Sequence, residues 1–374
     1  MQAEIPGEAA HDCEAPVYGC YIIPPFVLRH IAETTPKDEV RARAERALTL
    51  RRDVTRERTA ALAERRDVPG ERVRDARPRK NRIVYDANRT DNRHFRLARR
   101  EGDEPNGNEP EVDEAFKHSG ITWDFYNSVF GRNSIDGWGM DLISTVNYRR
   151  NFVNARWNGG QMLYGGDVPG LFNRFTKTLD IVAHELTHGV VQFTVGLDHV
   201  GQPGALGESI CDVFGSMVKQ WAKGQKAADA DWLMGEGLYV RKKGARRRAV
   251  RSLKAPGTAH NDPTPGGIGI DPQVAHMSEY LKLPDDEDQG GVHLNSGIAN
   301  RAFYLAATQL GGYSWEGAGQ IWYRVLAERR IRPAATFADM RDATVRAATE
   351  LFGDRAARTV AHAWAKVGVN GAPA

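Results

Sequence analysis

The chain of 374 residues exceeds one typical domain, and with 41% hydrophobic and 26% charged residues it has the composition of a soluble globular protein with a substantial core. A net charge of +3 is too small to argue for nucleic acid, no apolar run of about 18 residues is present to span a membrane, and three cysteines (Cys13, Cys20, Cys211) are too few and too odd for a disulfide framework. The charge is uneven: residues 41–82 carry 15 Lys and Arg against 7 Asp and Glu, whereas residues 1–40 carry 2 against 7.

In chain order, residues 1–10 lack a basic stretch followed by an apolar run, so no secretory signal is expected. Cytoplasmic synthesis follows, with export to the extracellular space by a route without a cleaved signal left open. Pro24-Pro25 forces extended or turn geometry, after which a short helix can begin. Residues 37–66, rich in Ala, Arg and Glu without Gly or Pro, read as a polar helix or helix-prone linker. Val68-Pro69-Gly70 breaks it, and the basic stretch 71–82 reads as an exposed linker of the kind proteases cut. Strands are expected at 83–86, 95–99, 140–146 and 152–161, with a helix over 112–130 between them. From Thr178 the pattern turns helical, over 179–195, 207–224, 273–281, 293–310, 315–328, 336–351 and 354–366. A β-rich lobe followed by a helical lobe, with a site at their junction, is the architecture this order implies.

The densest chemical signal is His184-Glu185-Leu186-Thr187-His188 inside the helical run 179–195. Two histidines at i and i+4 project from one helix face, one turn apart, and can grip one metal ion, with Glu185 beside them as a general base. On spacing alone such a pair can equally be surface decoration, so its surroundings decide. Glu208 follows His188 by twenty residues across a Gly- and Pro-containing turn; two antiparallel helices would bring it to the pair as third ligand. Asp212, one turn further, is placed to orient a ligand histidine through its other ring nitrogen. Apolar neighbours Ile210, Cys211, Val213 and Phe214 argue for burial over an exposed acidic face. In Asp288-Gln289-Gly290-Gly291-Val292-His293, the histidine at a helix start can point into a cleft with Asp288 orienting it, or it can simply cap the helix.

Together with Asn154-Ala155-Arg156-Trp157-Asn158-Gly159-Gly160, these stretches give the chain a resemblance to the thermolysin-like zinc metallopeptidases, nearest the protealysin-like branch with a short propeptide, over roughly residues 83–368. The resemblance implies an α+β, two-lobed fold: residues 1–80 as propeptide and basic linker, 81–196 as the β-rich lobe ending in the zinc-site helix, and 197–374 as the helical lobe. It implies a zymogen of a zinc endopeptidase, with His184, His188 and Glu208 as Zn2+ ligands and Glu185 as general base to a zinc-activated water. Asp212 would orient His184, and His293, held by Asp288, would donate to the transition state. Asn154 and the Ala155 carbonyl would pair with substrate backbone and Arg251 would bind a substrate carbonyl. Phe172, Phe175, Ile181 and Val250 would line an apolar pocket for the residue after the scissile bond.

Departures from the family pattern retune this picture. His199 stands where a tyrosine often serves as second oxyanion donor, and its charge depends on pH; Gly207 replaces an asparagine before the glutamate ligand. Asp180, Asp231 and Glu236 match acidic positions of a double Ca2+ site, but Lys219 and Leu233 replace two others, so one Ca2+ at most is expected, with the lysine ammonium in the place of an ion. Pro24-Pro25-Phe26 resembles an inhibitory propeptide element, removed by cutting before Val73 or Ile83. A Cys20 thiolate could reach the zinc, although an ordinary buried cysteine is the simpler reading. Peptide or protein substrates and the chain's own propeptide are the expected partners, with a monomer and neither nucleic acid nor membrane. The basic segments lack interleaved aromatics, no element to capture a free amine points to an aminopeptidase, and the complete set of ligands, base and donor argues against an inactive peptide binder.

Overall fold

In the computed structural model the described residues are 21–49, 78–240 and 249–371. Among the described residues, helices α1 (Pro25–Thr34) and α2 (residues 38–49) precede the catalytic unit. Pro25 occupies the first turn of α1, where its missing N–H costs nothing. The first lobe is a five-stranded mixed sheet of β1 (Arg82–Asp86), β2 (Arg96–Arg100), β3 (Leu142–Val146), β4 (Ala155–Trp157) and β5 (Met162–Tyr164), in the order β2-β1-β3-β5-β4. β1 runs parallel to β3 and β3 to β5, while β2 and β4 are antiparallel edges. Helix α3 (Pro110–Phe130) packs on this sheet; it starts on a proline with Glu111 and Asp113 in its first turn, and ends at Gly131 in the left-handed region, φ 65°.

Helix α4 (Leu179–Phe193) lies between the lobes, packed on β4 and α3 and on α5 (Gly201–Lys223). Every residue from Asp180 to Val191 is buried, as expected of a helix surrounded on all sides. Two glycines permit the close approaches. A Cβ on Gly189 would lie 2.4 Å from Ile135 Cγ2, and one on Gly215 would lie 2.6 Å from the Asp180 carbonyl oxygen. The rest of the helical lobe is α6 (Asp288–Leu310), α7 (Ala318–Ala327), α8 (Phe337–Phe352) and α9 (Asp354–Lys366). Thr336 and Asp339 close a reciprocal capping box on α8. Among the described residues no helix is long and apolar enough to cross a membrane.

Three expectations needed correction. The stretch 152–161 is not one strand: Asn158 Oδ1 accepts from the N–H groups of Gly160 (3.1 Å) and Gln161 (2.9 Å) and turns the chain between β4 and β5. The expected helix over 273–281 is reduced to one 3-10 turn, Met277–Glu279. Its backbone donors go elsewhere, Val274 N–H to the Leu294 carbonyl and Met277 N–H to the Val367 carbonyl, so tertiary partners displace the helical ladder. Helix α5 begins at Gly201 rather than 207, because Pro203 sits in the first turn, where no intrahelical donor is needed. Two small ribbons went unforeseen: β6 (Leu233–Met234) with β7 (Arg251–Ser252), and β8 (Asn261–Asp262) with β9 (Gly269–Ile270).

Candidate active site

The close packing of α4 against α5 at Gly215 brings Glu208 to the histidine pair. His184 Nε2 and His188 Nε2 are 3.2 Å apart, and Glu208 reaches them at 3.6 and 3.5 Å. Ligands about 2.1 Å from a tetrahedral zinc stand about 3.4 Å from one another, so the triangle has the right edge. Neither Glu208 oxygen has a hydrogen-bond partner although both are buried, an arrangement that is costly unless a cation joins them. Among the described residues these three form the one group of histidine and acidic side chains close enough together to hold a metal ion. Asp212 Oδ1 lies 2.9 Å from His184 Nδ1, leaving Nε2 for the metal.

Glu185 is fully buried. Its Oε2 accepts from the Trp157 backbone N–H at 2.9 Å, while Oε1 has no partner. Burial first, and the nearby Glu208 carboxylate second, raise its pKa well above the usual carboxylate range. The segment before His293 is a tight turn with Gln289, Gly290 and Gly291 all at positive φ (57°, 78° and 82°). It folds Asp288 back so that Oδ1 meets His293 Nδ1 at 2.6 Å and Oδ2 accepts the His293 backbone N–H at 3.0 Å. His293 Nε2 is thereby turned toward Glu208, 3.5 Å away, without a hydrogen-bond partner. Burial would lower the His293 pKa, but Asp288 and Glu208 outweigh it and the net shift is upward. His199 lies in the corner before α5, whose Gly201 backbone would meet a Cβ on Gly290 at 3.1 Å.

Arg251 on β7 is fully buried and bidentate to Asp212, Nε to Oδ2 and Nη2 to Oδ1, both at 2.7 Å; Asn300 Nδ2 adds a 2.9 Å bond. Burial alone would raise the Asp212 pKa, but the Arg251 charge and the His184 contact bring it well below the usual range. Arg251 Nη1 also donates to the Ile22 carbonyl at 3.3 Å, and the Asn154 side chain clasps Ile23, accepting its N–H at 3.0 Å and donating to its carbonyl at 3.3 Å. The backbone just before Pro24-Pro25 thus sits on the two groups expected to hold substrate. Ile22 and Ile23 are wholly buried, as are Pro24 and Pro25, with Phe26 half-buried. Cys20, the other residue assigned to inhibition, lies outside the described residues, as does Val73. Ala155 opens β4 in the expected edge position. Ile181 and Val250 converge on Gly235, and Phe172 stacks on Phe175 with ring centroids 6.1 Å apart.

Two of the acids expected near Ca2+, Asp180 and Asp231, close on Lys219, where the sequence placed an ammonium in the position of an ion. Lys219 Nζ lies 3.1 Å from Asp180 Oδ2 and 2.9 Å from Asp231 Oδ1, and donates to the Leu233 carbonyl. Glu236 forms no three-ligand group with them among the described residues. The ammonium supplies the cation covalently. Burial would lower the Lys219 pKa, but Asp180 and Asp231 outweigh it and raise it; burial would raise that of Asp231, but Lys219 lowers it. The pair's stability is therefore present at neutral pH. It is lost at high pH as Lys219 deprotonates above the ordinary lysine range, and at low pH as Asp231 protonates below the ordinary carboxylate range. Lys219→Met is expected to cost about 3–5 kcal/mol, the cost of leaving buried carboxylates without their partner, read as a lowered urea midpoint.

Sequence reasoning missed three groups: the Trp157 N–H on Glu185, Asn300 on Asp212, and the fully buried Arg156. Any residue but proline can supply a backbone N–H. Asn300, by contrast, lies two turns after His293 on the same helix face, which could have marked it.

Comparison with known proteins bears on the whole arrangement. Residues 72–192 match the family described as "Thermolysin metallopeptidase, catalytic domain", and residues 195–369 match "Thermolysin metallopeptidase, alpha-helical domain". The chain is 43% identical to an extracellular metalloprotease of Pectobacterium carotovorum subsp. carotovorum, over 94% of this chain and 96% of that protein. It is 40% identical to protease PrtS of a Photorhabdus species, over 93% and 91%. Among solved structures, the precursor of protealysin, a metalloproteinase from Serratia proteamaculans, superposes with a TM-score of 0.82 at 42% identity, covering 94% of this chain and 99% of that one.

Proposed function

This chain belongs to the thermolysin family of zinc metallopeptidases, and on that premise we propose that it cuts peptide bonds before bulky apolar residues with Glu185 as general base. The observation that carries this reading is the buried triangle of His184, His188 and Glu208 with the unpartnered Glu185 Oε1 beside it. His184, His188 and Glu208 would hold the zinc, which when bound would supply Lewis acidity to a water and to a peptide carbonyl.

The chain's own groups do the rest. The Trp157 N–H fixes one oxygen of Glu185, so the other takes the proton of the attacking water and passes it to the departing nitrogen. His293 Nε2, held by Asp288, donates to the carbonyl oxygen as charge develops there, and His199 adds a second donor. Arg251 binds the carbonyl of the residue after the cut, and Asn154, with the Ala155 carbonyl, holds the backbone beyond it. The pocket of Phe172, Phe175, Ile181 and Val250 takes the apolar side chain that follows the cut. Ile22, buried with its carbonyl on Arg251, supports this register, because it stands where a substrate's residue after the cut would stand.

Residues 1 to about 80 act in this reading as the propeptide, leaving after cleavage in the basic linker before Val73 or Ile83. The similarity to proteins named extracellular proteases supports action outside the cell. The test is digestion of casein by the matured protein with sequencing of the products. New N-termini dominated by Ile, Leu, Val and Phe are expected; N-termini without apolar enrichment would defeat the assigned pocket.

A further inference from the structure

Arg156, in the middle of β4, is fully buried, yet its Nε and Nη2 have no hydrogen-bond partner among the described residues. A buried guanidinium so poorly paired is costly. One partner comes from the N-terminal segment: Nη1 donates to the Tyr21 hydroxyl at 3.3 Å, and the guanidinium carbon lies 5.2 Å from the centre of the Tyr21 ring. Tyr21 is buried in a small apolar cluster of its own, with Ala87, Tyr148, Phe152 and Leu163, apart from the main core. The Tyr21 and Phe152 rings are 6.5 Å apart. Leu163 is the β5 partner of Arg156, so the arginine and this cluster share one face of the sheet. Phe152 also borders a separate basic cavity lined by Arg43, Arg89, Arg149 and Arg150 with Asp167 as its acid.

Tyr21 directly precedes Ile22. In the register proposed above, on which this step rests, Ile22 stands after the cut and Tyr21 before it. We propose that Arg156 is a specificity residue: once the propeptide leaves, its guanidinium closes an aromatic-walled pocket and selects substrates whose residue before the cut ends in an oxygen acceptor, tyrosine foremost. A phenylalanine fills the same walls and offers the same ring face but gives the guanidinium no oxygen to donate to. A phenolic oxygen accepts from it, and hydrogen bonds from charged donors are the stronger class.

The experiment compares two peptides, identical except for Tyr or Phe immediately before an Ile-Ile pair, with the whole chain expressed and allowed to mature. The expected kcat/KM is about tenfold or more higher for Tyr, from one hydrogen bond to a charged group, and the ratio falls to near one in Arg156→Met. Arg156→Gln, which keeps a polar stem, serves if the methionine variant does not fold. Its expected ratio falls likewise. A wild-type ratio near one, or a tenfold ratio that survives both substitutions, overturns the role of Arg156. Product masses separate the two layers: cleavage before Ile with a flat ratio sinks Arg156 alone, whereas cleavage elsewhere sinks the register and this role with it.

Discussion

Glu185→Gln is expected to leave one zinc per chain and to lower kcat for an apolar peptide by about 10²–10⁴-fold, the range that a positioned general base contributes. The substitution keeps the shape of the side chain and an oxygen for the Trp157 N–H, which Glu185 accepts at 2.9 Å. It removes the lone acceptor at Oε1, which no described group satisfies and to which the mechanism assigns the proton of water. KM should change little, because Glu185 makes no contact assigned to substrate backbone. Metal analysis and steady-state kinetics on the same preparation check both halves. A variant that loses zinc along with activity would place Glu185 in the architecture of the site rather than in the chemistry.

Arg251→Met should lose about 3–5 kcal/mol of stability from stranding a buried carboxylate. Arg251 and Asp212 are 1% and 0% exposed, joined by two 2.7 Å bonds, and Asp212 also holds His184 and Asn300. Without the guanidinium the carboxylate keeps its burial but loses its counter-charge, so the orientation of His184 is at risk as well as the fold. Urea unfolding in the Glu185→Gln background, which prevents self-digestion, measures the loss. As a contrast, Arg324 pairs with Glu328 one helical turn away at 2.8 Å with both side chains well exposed. Arg324→Met should cost no more than about 0.5 kcal/mol. A loss at Arg251 no larger than at Arg324 would mean that the buried pair is worth no more than a solvated one.

What could be read in the sequence follows the range of the interactions. His184 and His188 are one helical turn apart, so local periodicity alone placed them on one face. The boundaries of α8 and α9 were close for the same reason, since apolar spacing and the Thr336 cap act locally. Glu208, Asp212, His293 and Asp288 were candidates on spacing and neighbours, and the family resemblance joined them to one site, because nothing local says that α5 will close on α4 and α6 on α5. The helix expected at 273–281 failed where partners distant in sequence, Leu294 and Val367, took its backbone groups. The grip on the N-terminal segment was least legible: Ile23 to Asn154 spans 131 positions and Ile22 to Arg251 spans 229. The buried Lys219 shows the opposite case, since a lysine among expected calcium ligands already suggested that an ammonium replaces an ion.

The central claim is that His184, His188 and Glu208 hold a catalytic zinc. Its most direct test is to strip the matured protein with a chelator, remove the chelator, and titrate metal back while following peptide hydrolysis. Activity should vanish on stripping and return in full at one equivalent of zinc per chain, with Ca2+ alone restoring none. Hydrolysis that survives complete removal of zinc, or that Ca2+ alone restores, would contradict it.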